Sequence, residues 1–416
     1  MSTLFLSWGI AAAATAGVIS RPFKWPEAIW AVAGALLLVS LRLLPVDLAI
    51  QAIEKGTDVY LFLFGMMALS EVGRREGLFD WVAVLAVNHA KGSPRKLFLL
   101  VYLVGVVITA FLSNDAAAVV LTPAVFAAAR KAKTHPLPLL FVCAFIANAA
   151  SFVLPISNPA NLVLYGNHTP ALGPWLMRFT LPSLLSIAAT YVLLRWTQRE
   201  ALAGVCEADL EPLELSSSGR VALAGIAVTA VVLLTVSAYN IPLGLPTAIL
   251  GALTATVVLI QERKSPLPLV KEISWSVLPL VAALFVLVEM LDHTGVITTL
   301  ASAVQRATQH SELATAASAG GIVAIASNLM NNLPAGLIAS STVMQAHSPE
   351  RVIDALLIGV DLGPNLSITG SLATILWLNA IRREGEDVSF MKFLKVGAVV
   401  MLPALALALA ARILTG

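Results

Sequence analysis

The chain has 416 residues, of which 58% are hydrophobic and only 12% are charged, and its mean hydropathy is +0.87. Soluble domains carry about 25% charged residues, so the composition excludes an ordinary soluble domain and predicts an all-α polytopic membrane protein. A transmembrane barrel is excluded as well, because runs such as WAVAGALLLVSL lack the alternation of membrane strands. The net charge of +2 comes without the basic cluster that would predict nucleic-acid binding.

Apolar segments follow each other in the same order in the two halves of the chain. In the first half we expect spans at 2–19, 27–41 and 57–72, an amphipathic stretch at 77–90, long segments at 97–129 and 136–165, and a span at 174–194. The second half gives 221–238, 242–261, 274–292, 295–309 (amphipathic), 313–346, 352–381 and 390–414. The expected domains are an N-terminal repeat (1–195), an exposed linker (196–219) and a C-terminal repeat (220–416).

Short motifs repeat in step with these segments. EVGRREGLF at 71–79 matches EMLDHTGVI at 289–297, and each is a Glu-x5-Gly motif before an amphipathic stretch. Ser113-Asn114 matches Ser327-Asn328. Asn148 corresponds to Asp361, and in all three matches the two copies are separated by nearly the same number of residues. Three matches in one order predict an internal repeat.

Basic residues set the expected topology. The segment 97–129 has Lys or Arg at both ends, and as one helix it would be about 50 Å long, too long for one span and too short for two. We therefore expect re-entrant hairpins at 97–129 and 313–346, about ten spans, and two repeats of inverted topology. This arrangement places 20 of the 26 basic residues on the side of the linker, which the positive-inside rule makes cytoplasmic. The other side receives Arg42, Lys55, Arg178, Arg306, Arg351 and Arg412.

Four polar stretches interrupt the apolar segments. They are SNDAA (113–117), LPISNPAN (154–161), SNLMNNLP (327–334) and DLGPNLSITG (361–370). Proline breaks the helical hydrogen-bond ladder, and the freed backbone groups must face protein or a watery cavity. Inverted repeats with broken helices are typical of secondary transporters, whose solute site lies between the repeats. Asn and Ser at such a site favour a small polar solute with little or no charge.

Carboxylates inside the spans are the next candidates. Asp115 and Asp361 are functional by default because an ionisable group within a membrane is costly. Glu71 and Glu289 lie near span ends, where interfacial anchoring and proton handling are both open. Two cysteines exclude a disulfide framework and a zinc site. The chain has no GxxxxGK[ST] motif for ATP binding and no catalytic motif of an enzyme.

Taken together, SNDAAAVVLTP, SNPANL, SNLMNNLP and DLGPNLSITGSLATILWL resemble the arsenical pump membrane proteins, which are arsenite and antimonite efflux carriers of the ion-transporter superfamily. The resemblance covers most of the chain, and its most specific part is the last motif. It implies export of trivalent arsenic and antimony driven by proton entry across a bacterial-type cytoplasmic (inner) membrane, with a cytoplasmic linker. It implies no cofactor and no resident metal. A soluble arsenite-stimulated ATPase, which some members use, is a candidate partner.

The resemblance also assigns residues by position. Asn114 and Asp115 are placed at one hairpin tip, and Ser327 and Asn328 at the other. The expected solute-binding residues are Asn114, Ser157, Asn158, Asn161, Ser327, Asn328, Asn332, Asn365 and Thr369. The expected proton-coupling residues are Asp115 and Asp361. Asn148 stands where some relatives carry Asp, which leaves fewer intramembrane carboxylates.

Trivalent arsenic is an uncharged trihydroxide at neutral pH, so amides and backbone groups suit it better than a cationic clamp. A sodium–proton antiporter or an organic-anion carrier of the same superfamily remains the alternative. An organic-anion carrier would need a basic residue or several helix N-termini at the site, and no Lys or Arg lies in the four motifs. A channel or an intramembrane enzyme is the third class, and the repeat favours alternating access over a fixed pore.

Overall fold

The computed structural model describes residues 2–207 and 210–415, and every regular element in them is helical. The helices are α1 (Ser2–Ser20), α2 (Glu27–Ser40), α3 (Val46–Lys55), α4 (Thr57–Arg75), α5 (Leu78–Ala90), α6 (Pro94–Phe111), α7 (Asn114–Ala116), α8 (Thr122–Lys131), α9 (Pro136–Ala149), α10 (Pro159–Tyr165), α11 (Leu172–Thr197), α12 (Ser217–Ala238), α13 (Gly244–Glu262), α14 (Leu267–Glu272), α15 (Val277–His293), α16 (Val296–His310), α17 (Glu312–Met330), α18 (Asn332–Gln345), α19 (Glu350–Leu362), α20 (Leu372–Arg383) and α21 (Phe390–Thr415). A π-helical turn, Ala117–Leu121, joins α7 to α8. The all-α prediction is confirmed.

In the described part of the chain, seven helices are long and apolar enough to cross a membrane, namely α1, α6, α11, α12, α13, α17 and α21. An eighth crossing results if α15 and α16, which are bent by 72°, form one broken span. Helices satisfy their own backbone groups in lipid, so this is a multi-pass membrane protein. The short helices α3 and α14, of 10 and 6 residues, lie between the expected spans and were not predicted.

Two long segments break at a non-glycine residue with positive φ. Ser113 (φ 142°) separates α6 from α7, and Asn331 (φ 76°) separates α17 from α18. Such a φ is uncommon outside glycine. Each side chain caps the helix that follows, since Ser113 Oγ accepts from Ala116 N at 3.4 Å and Asn331 Oδ1 accepts from Leu333 N at 3.3 Å.

The second break therefore does not lie where the Ser-Asn match placed it. Ser327 and Asn328 belong to the last turns of α17, and the tip is at Asn331. Ser327 Oγ donates to the carbonyl of Val323 at 2.9 Å, as a residue inside a helix does. The helix continues past this pair because the capping group of the next helix comes later in the chain.

Two further segments are interrupted by longer breaks that contain proline. Between α9 and α10, Pro155 lies in a 3-10 turn and Asn158 caps α10 by accepting from Ala160 N at 3.0 Å. Between α19 and α20, a 3-10 turn covers Gly363–Leu366, and Ser371 caps α20. Both interruptions lie deep in the protein, so their backbone groups need partners from the protein.

Glycines bring the helices that carry the site close together. A Cβ on Gly251 of α13 would lie 2.5 Å from the carbonyl oxygen of Gly65 on α4. A Cβ on Gly359 of α19 would lie 2.2 Å from the carbonyl oxygen of Gly320 on α17. Small residues at crossings are typical of packing in membranes, and only glycine fits these two.

The chain between α11 and α12 follows the ends of first-half helices. Glu207 N donates to the carbonyl of Ala132 at 2.8 Å, just after α8. The Asn88 amide on α5 bonds both backbone groups of Leu210, at 2.9 and 3.1 Å. The predicted linker is therefore attached to the helices at these points, and its residues 208–209 lie outside the described residues.

Candidate functional site

The two interrupted helices meet through buried amide and carboxylate groups. Asn158 Nδ2 donates to Asp361 Oδ1 at 2.8 Å, and Asn148 Nδ2 donates to Asn365 Oδ1 at 3.0 Å. Each of these four residues is at most 1% exposed. Asn365 in turn donates to the carbonyl of Phe145 at 2.9 Å. These bonds join residues about two hundred positions apart and fix the two breaks against each other.

The first break is held together by its own side chains. Asn161 Nδ2 points back to the carbonyls of Ser151, Leu154 and Pro155, at 2.9 to 3.3 Å. Ser157 Oγ donates to the carbonyl of Ala110 on α6 at 3.0 Å. These contacts satisfy carbonyls that the broken helix leaves free. The side-chain N–H groups of Asn161 are used in these bonds, so Asn161 holds the backbone of the break in place.

The second break is held by α17. Asn328 Nδ2 donates to the carbonyl of Gly363 at 3.0 Å, and Asn328 Oδ1 accepts from Ser367 Oγ at 2.8 Å. Thr369 Oγ1 donates to the backbone carbonyl of Asn328 at 3.2 Å. The backbone N–H of Asn332, after the tip, donates to Gly370 O at 2.9 Å. The tip of the second hairpin segment and the second break therefore form one polar unit.

Some buried acceptors in this region have no hydrogen-bond partner among the described residues. They are Asp361 Oδ2, Asn148 Oδ1 and Asn161 Oδ1. An unpaired polar atom in an apolar interior is costly, and an unpaired charge costs more. These atoms can each accept a hydrogen bond, and Asp361 Oδ2 can also bind a proton.

Asp115 lies in a different environment, next to the break at Ser113 between α6 and α7. Asn114 Oδ1 accepts from the N–H of Asp115 at 2.9 Å, so Asn114 turns toward the backbone. The π-helical turn begins two residues later, and π-turns are frequent at functional sites. The Asp115 side chain lines a cavity of about 90 Å³, which has room for a few water molecules. We call it the Asp115 cavity.

The Asp115 cavity lies where the break at Ser113 meets α4, α10, α15 and α20. Its polar lining consists of the carboxylates of Glu71, Asp115 and Glu272 and the hydroxyls of Ser70, Ser113 and Ser274. No Lys or Arg is among the lining residues that the structure describes. Pro159 and Leu372, the first residues of α10 and α20, are also in its wall. The cavity therefore offers the Asp115 carboxylate and serine hydroxyls to a solute, whereas Glu71 and Glu272 are paired with Arg74 and Arg75.

The expected site residues thus separate into two groups. Asp115 alone of them lines the Asp115 cavity, and Asn158, Asp361 and Asn365 lie buried in a polar cluster that joins the two breaks. Ser327 bonds only to its own helix. Asn328, Asn332 and Thr369 hold the second break.

Sequence reasoning missed several residues of this region. Ser70, Ser274 and Glu272 lie in or beside other apolar segments, and their sequence positions give no sign of Asp115 as a neighbour. Asn148 was noted as the counterpart of Asp361, and Ser367 lies inside DLGPNLSITG, but neither was assigned as a site residue. Glu71 was noted as a span-end carboxylate, and the repeat of EVGRREG in the second half was the one signal available for it.

A resident metal site is not visible in the described part of the chain, where no group of three or more His, Cys, Asp or Glu is placed to hold an ion. The two cysteines, Cys143 and Cys206, are free, and Cys143 Sγ points to a backbone carbonyl of its own helix.

Comparison with known proteins gives consistent results. A family model described as a citrate transporter matches residues 15–359. An arsenical pump membrane protein of Yersinia enterocolitica is 27% identical over 347 residues, which cover 80% of this chain and 81% of that protein. An arsenical pump membrane protein of Escherichia coli is 27% identical with the same coverage, and an uncharacterized transporter of Mycobacterium tuberculosis is 26% identical over 84% of each chain. The resemblance drawn from the four motifs is confirmed.

The fold is also similar to a solved structure. The crystal structure of the YdaH transporter of Alcanivorax borkumensis aligns with a TM-score of 0.58 and 15% identity, over 91% of this chain and 89% of that one. At this identity the likeness concerns the fold alone. It agrees with a helical, multi-pass architecture.

Proposed function

The chain belongs to the citrate transporter family of membrane transporters, and on that premise we propose that it exports trivalent arsenic or antimony in exchange for protons. It is a transporter and not an enzyme, as predicted from the lack of catalytic motifs. Two relatives named arsenical pump membrane proteins, each 27% identical over 80% of this chain, support arsenic as the substrate.

The observation that carries the proposal is the lining of the Asp115 cavity. Its described lining residues include no Lys or Arg that could bind an organic anion, and the Asp115 carboxylate repels one, whereas Glu71 and Glu272 are neutralised by Arg74 and Arg75. Asp115 and the serine hydroxyls suit an uncharged trihydroxide, which donates hydrogen bonds to a carboxylate and both donates to and accepts from hydroxyls. A small cavity of about 90 Å³ also favours a small solute over a polycarboxylate.

The proposed topology is two inverted repeats with about ten spans and two re-entrant hairpins. The corresponding breaks support it, because Ser113 and Asn331 each have positive φ and each cap the returning helix. The later breaks correspond too, with Asn158 and Ser371 as caps. In this proposal the repeats are 1–195 and 220–416, and the linker faces the cytoplasm of a bacterial-type inner membrane.

The proposed cycle has two candidate proton sites, of which one is used. When the site faces outward, Asp115 or Asp361 takes up a proton from the outside. Neutralising a carboxylate lowers the cost of moving it through an apolar surrounding, so the protonated protein returns inward. Proton release to the cytoplasm then frees the site for the next arsenite. Solute contacts come from the polar groups of both breaks, namely Asn114, Ser157, Asn158, Asn161, Ser327, Asn328, Asn332, Asn365 and Thr369.

A sodium–proton antiporter is the second candidate, and one observation favours it. Carboxylate and hydroxyl oxygens are also the ligands of hard cations, and the Asp115 cavity holds both kinds. The organic-anion alternative draws only on the family description.

Everted membrane vesicles test the proposal. With a proton gradient acid inside, arsenite should accumulate in vesicles that contain the chain, and a protonophore should abolish the accumulation. Sodium-dependent proton movement without arsenite uptake would assign the chain to the antiporter alternative, and citrate uptake would assign it to the anion carriers. Adding and omitting ATP with a soluble arsenite-stimulated ATPase tests that partner in the same vesicles.

A further inference from the structure

Glu71 is the carboxylate closest in environment to Asp115. It lies on α4, its side chain is 11% exposed, and it lines the same cavity as Asp115. Ser70, Ser113 and Ser274 line that cavity as well, so water inside it would have hydroxyl partners. A short chain of water between the two carboxylates is therefore compatible with the lining.

A second and larger cavity is lined by Arg74 and Arg75, the two arginines that contact Glu71. This arginine vestibule has a volume of about 520 Å³ and is lined by Arg74, Arg75, Glu76, Glu262, Lys264 and Glu272. Glu272 is in the wall of both cavities. Six charged side chains, on α4, α13 and α14 and just after α4 and α13, make the vestibule a watery region. In the proposed topology it faces the cytoplasm.

The ion pairs between the two cavities are redundant. Glu71 accepts from Arg74 at 2.6 and 2.9 Å and lies 3.4 Å from Arg75. Glu272 also contacts Arg74 and lies 3.4 Å from Arg75. If Glu71 binds a proton, both arginines keep Glu272 as a partner. Arg74 and Glu272 are each more than 40% exposed, so water screens the remaining charge.

We propose that Glu71 relays protons between Asp115 and the arginine vestibule, and this inference rests on the proposed function. Asp115 gives its proton to water in the Asp115 cavity, and that water gives a proton to the Glu71 carboxylate. Glu71 then releases a proton to water in the vestibule. Only O–H bonds form and break, and Asp115 ends as the carboxylate that the next cycle needs.

Several other charged groups surround Glu71. Arg74 and Arg75 face it from α4, Glu272 faces it from α14, and Asp115 faces it across the cavity. Asp80 on α5 attracts Arg74 electrostatically, and Lys131 on α8 attracts Asp80. The relay predicts that the pH dependence of transport changes when Glu71 changes, with these groups intact.

The test compares net export with arsenite self-exchange in proteoliposomes that contain the purified chain. Self-exchange returns a loaded site and needs no proton release, whereas net export does. Glu71→Gln should slow net export at least about tenfold, as expected for the loss of a proton-transfer group, and should slow self-exchange by a much smaller factor. Glu71→Asp should restore part of net export. Glu262→Gln, which changes the vestibule alone, is the matched control and should export normally.

Three outcomes decide the matter. Normal net export by Glu71→Gln overturns the relay. Loss of self-exchange together with net export in both Glu71 variants also overturns it, because that result assigns Glu71 a structural role as the anchor of Arg74. Absence of arsenite exchange by the unaltered chain overturns the proposed function instead, and proton movement driven by sodium would then identify the cargo.

Discussion

Replacing Asp354 by Asn should destabilise the protein by about 3–5 kcal/mol, the usual cost of leaving a buried charge without its partner. Asp354 is fully buried and Arg412 is 2% exposed. Both Nε and Nη2 of Arg412 lie 2.6 Å from Asp354 Oδ2, and the Tyr165 hydroxyl donates to Oδ1. The substitution keeps the shape and an acceptor and removes the charge.

The substitution does not leave the neighbouring Arg178 without a partner. Arg178 lies 3.9 Å from Asp354, but it has its own carboxylate, Glu350, at 2.6 Å. The uncompensated charge after the substitution is therefore that of Arg412. Removing it as well, in Asp354→Asn combined with Arg412→Met, should recover most of the loss, because apolar replacements of buried ion pairs are often neutral or stabilising.

The assay is the free energy of unfolding of the purified protein in detergent, followed by helical circular dichroism during titration with a denaturing detergent. Glu207→Gln is the control, since its pair with Lys133 is exposed and should contribute nothing measurable. The reasoning is refuted if Asp354→Asn is as stable as that control. It is also refuted if the double variant is no more stable than the single one.

The other predictions concern the site and its supports. Asp115→Asn and Asp361→Asn should each abolish export driven by a proton gradient, measured in vesicles, and unchanged export in both would refute the proposed cycle. Gly251→Val should prevent α13 from packing on α4, so the purified variant should lose monodispersity in size-exclusion chromatography. Asn331→Gly should retain the tip, because glycine adopts positive φ, whereas Asn331→Val should destabilise it in thermal unfolding; equal melting temperatures would contradict this.

Sequence reasoning worked where the physics is local. Apolar runs of membrane length predict helices, and the Pro155, Pro159 and Pro364 positions mark segments that cannot remain helical. Those breaks appear in the structure as turns with Asn158 and Ser371 as caps. The class of protein and the position of its polar interruptions are therefore readable from one sequence.

Other features depend on contacts between distant segments and left no local signal. Arg412 was assigned only to the side of the membrane opposite the linker, and its burial could not be foreseen because its partner Asp354 lies 58 positions away. The tip at Asn331 follows from its side-chain cap and positive φ, whereas the nearby Ser327-Asn328 pair merely resembled the first tip. Glu71 and Asp115 line the same cavity because α4 packs against the break at Ser113, and composition does not encode that packing.

The most direct test of the central claim is simultaneous measurement of arsenite and proton fluxes in proteoliposomes that contain only this chain, with no ATP and no partner. The account predicts that arsenite moves against its gradient while protons move down theirs, and that collapsing the pH gradient stops both. Arsenite flux that ignores the pH gradient, or proton flux that ignores arsenite, would contradict it.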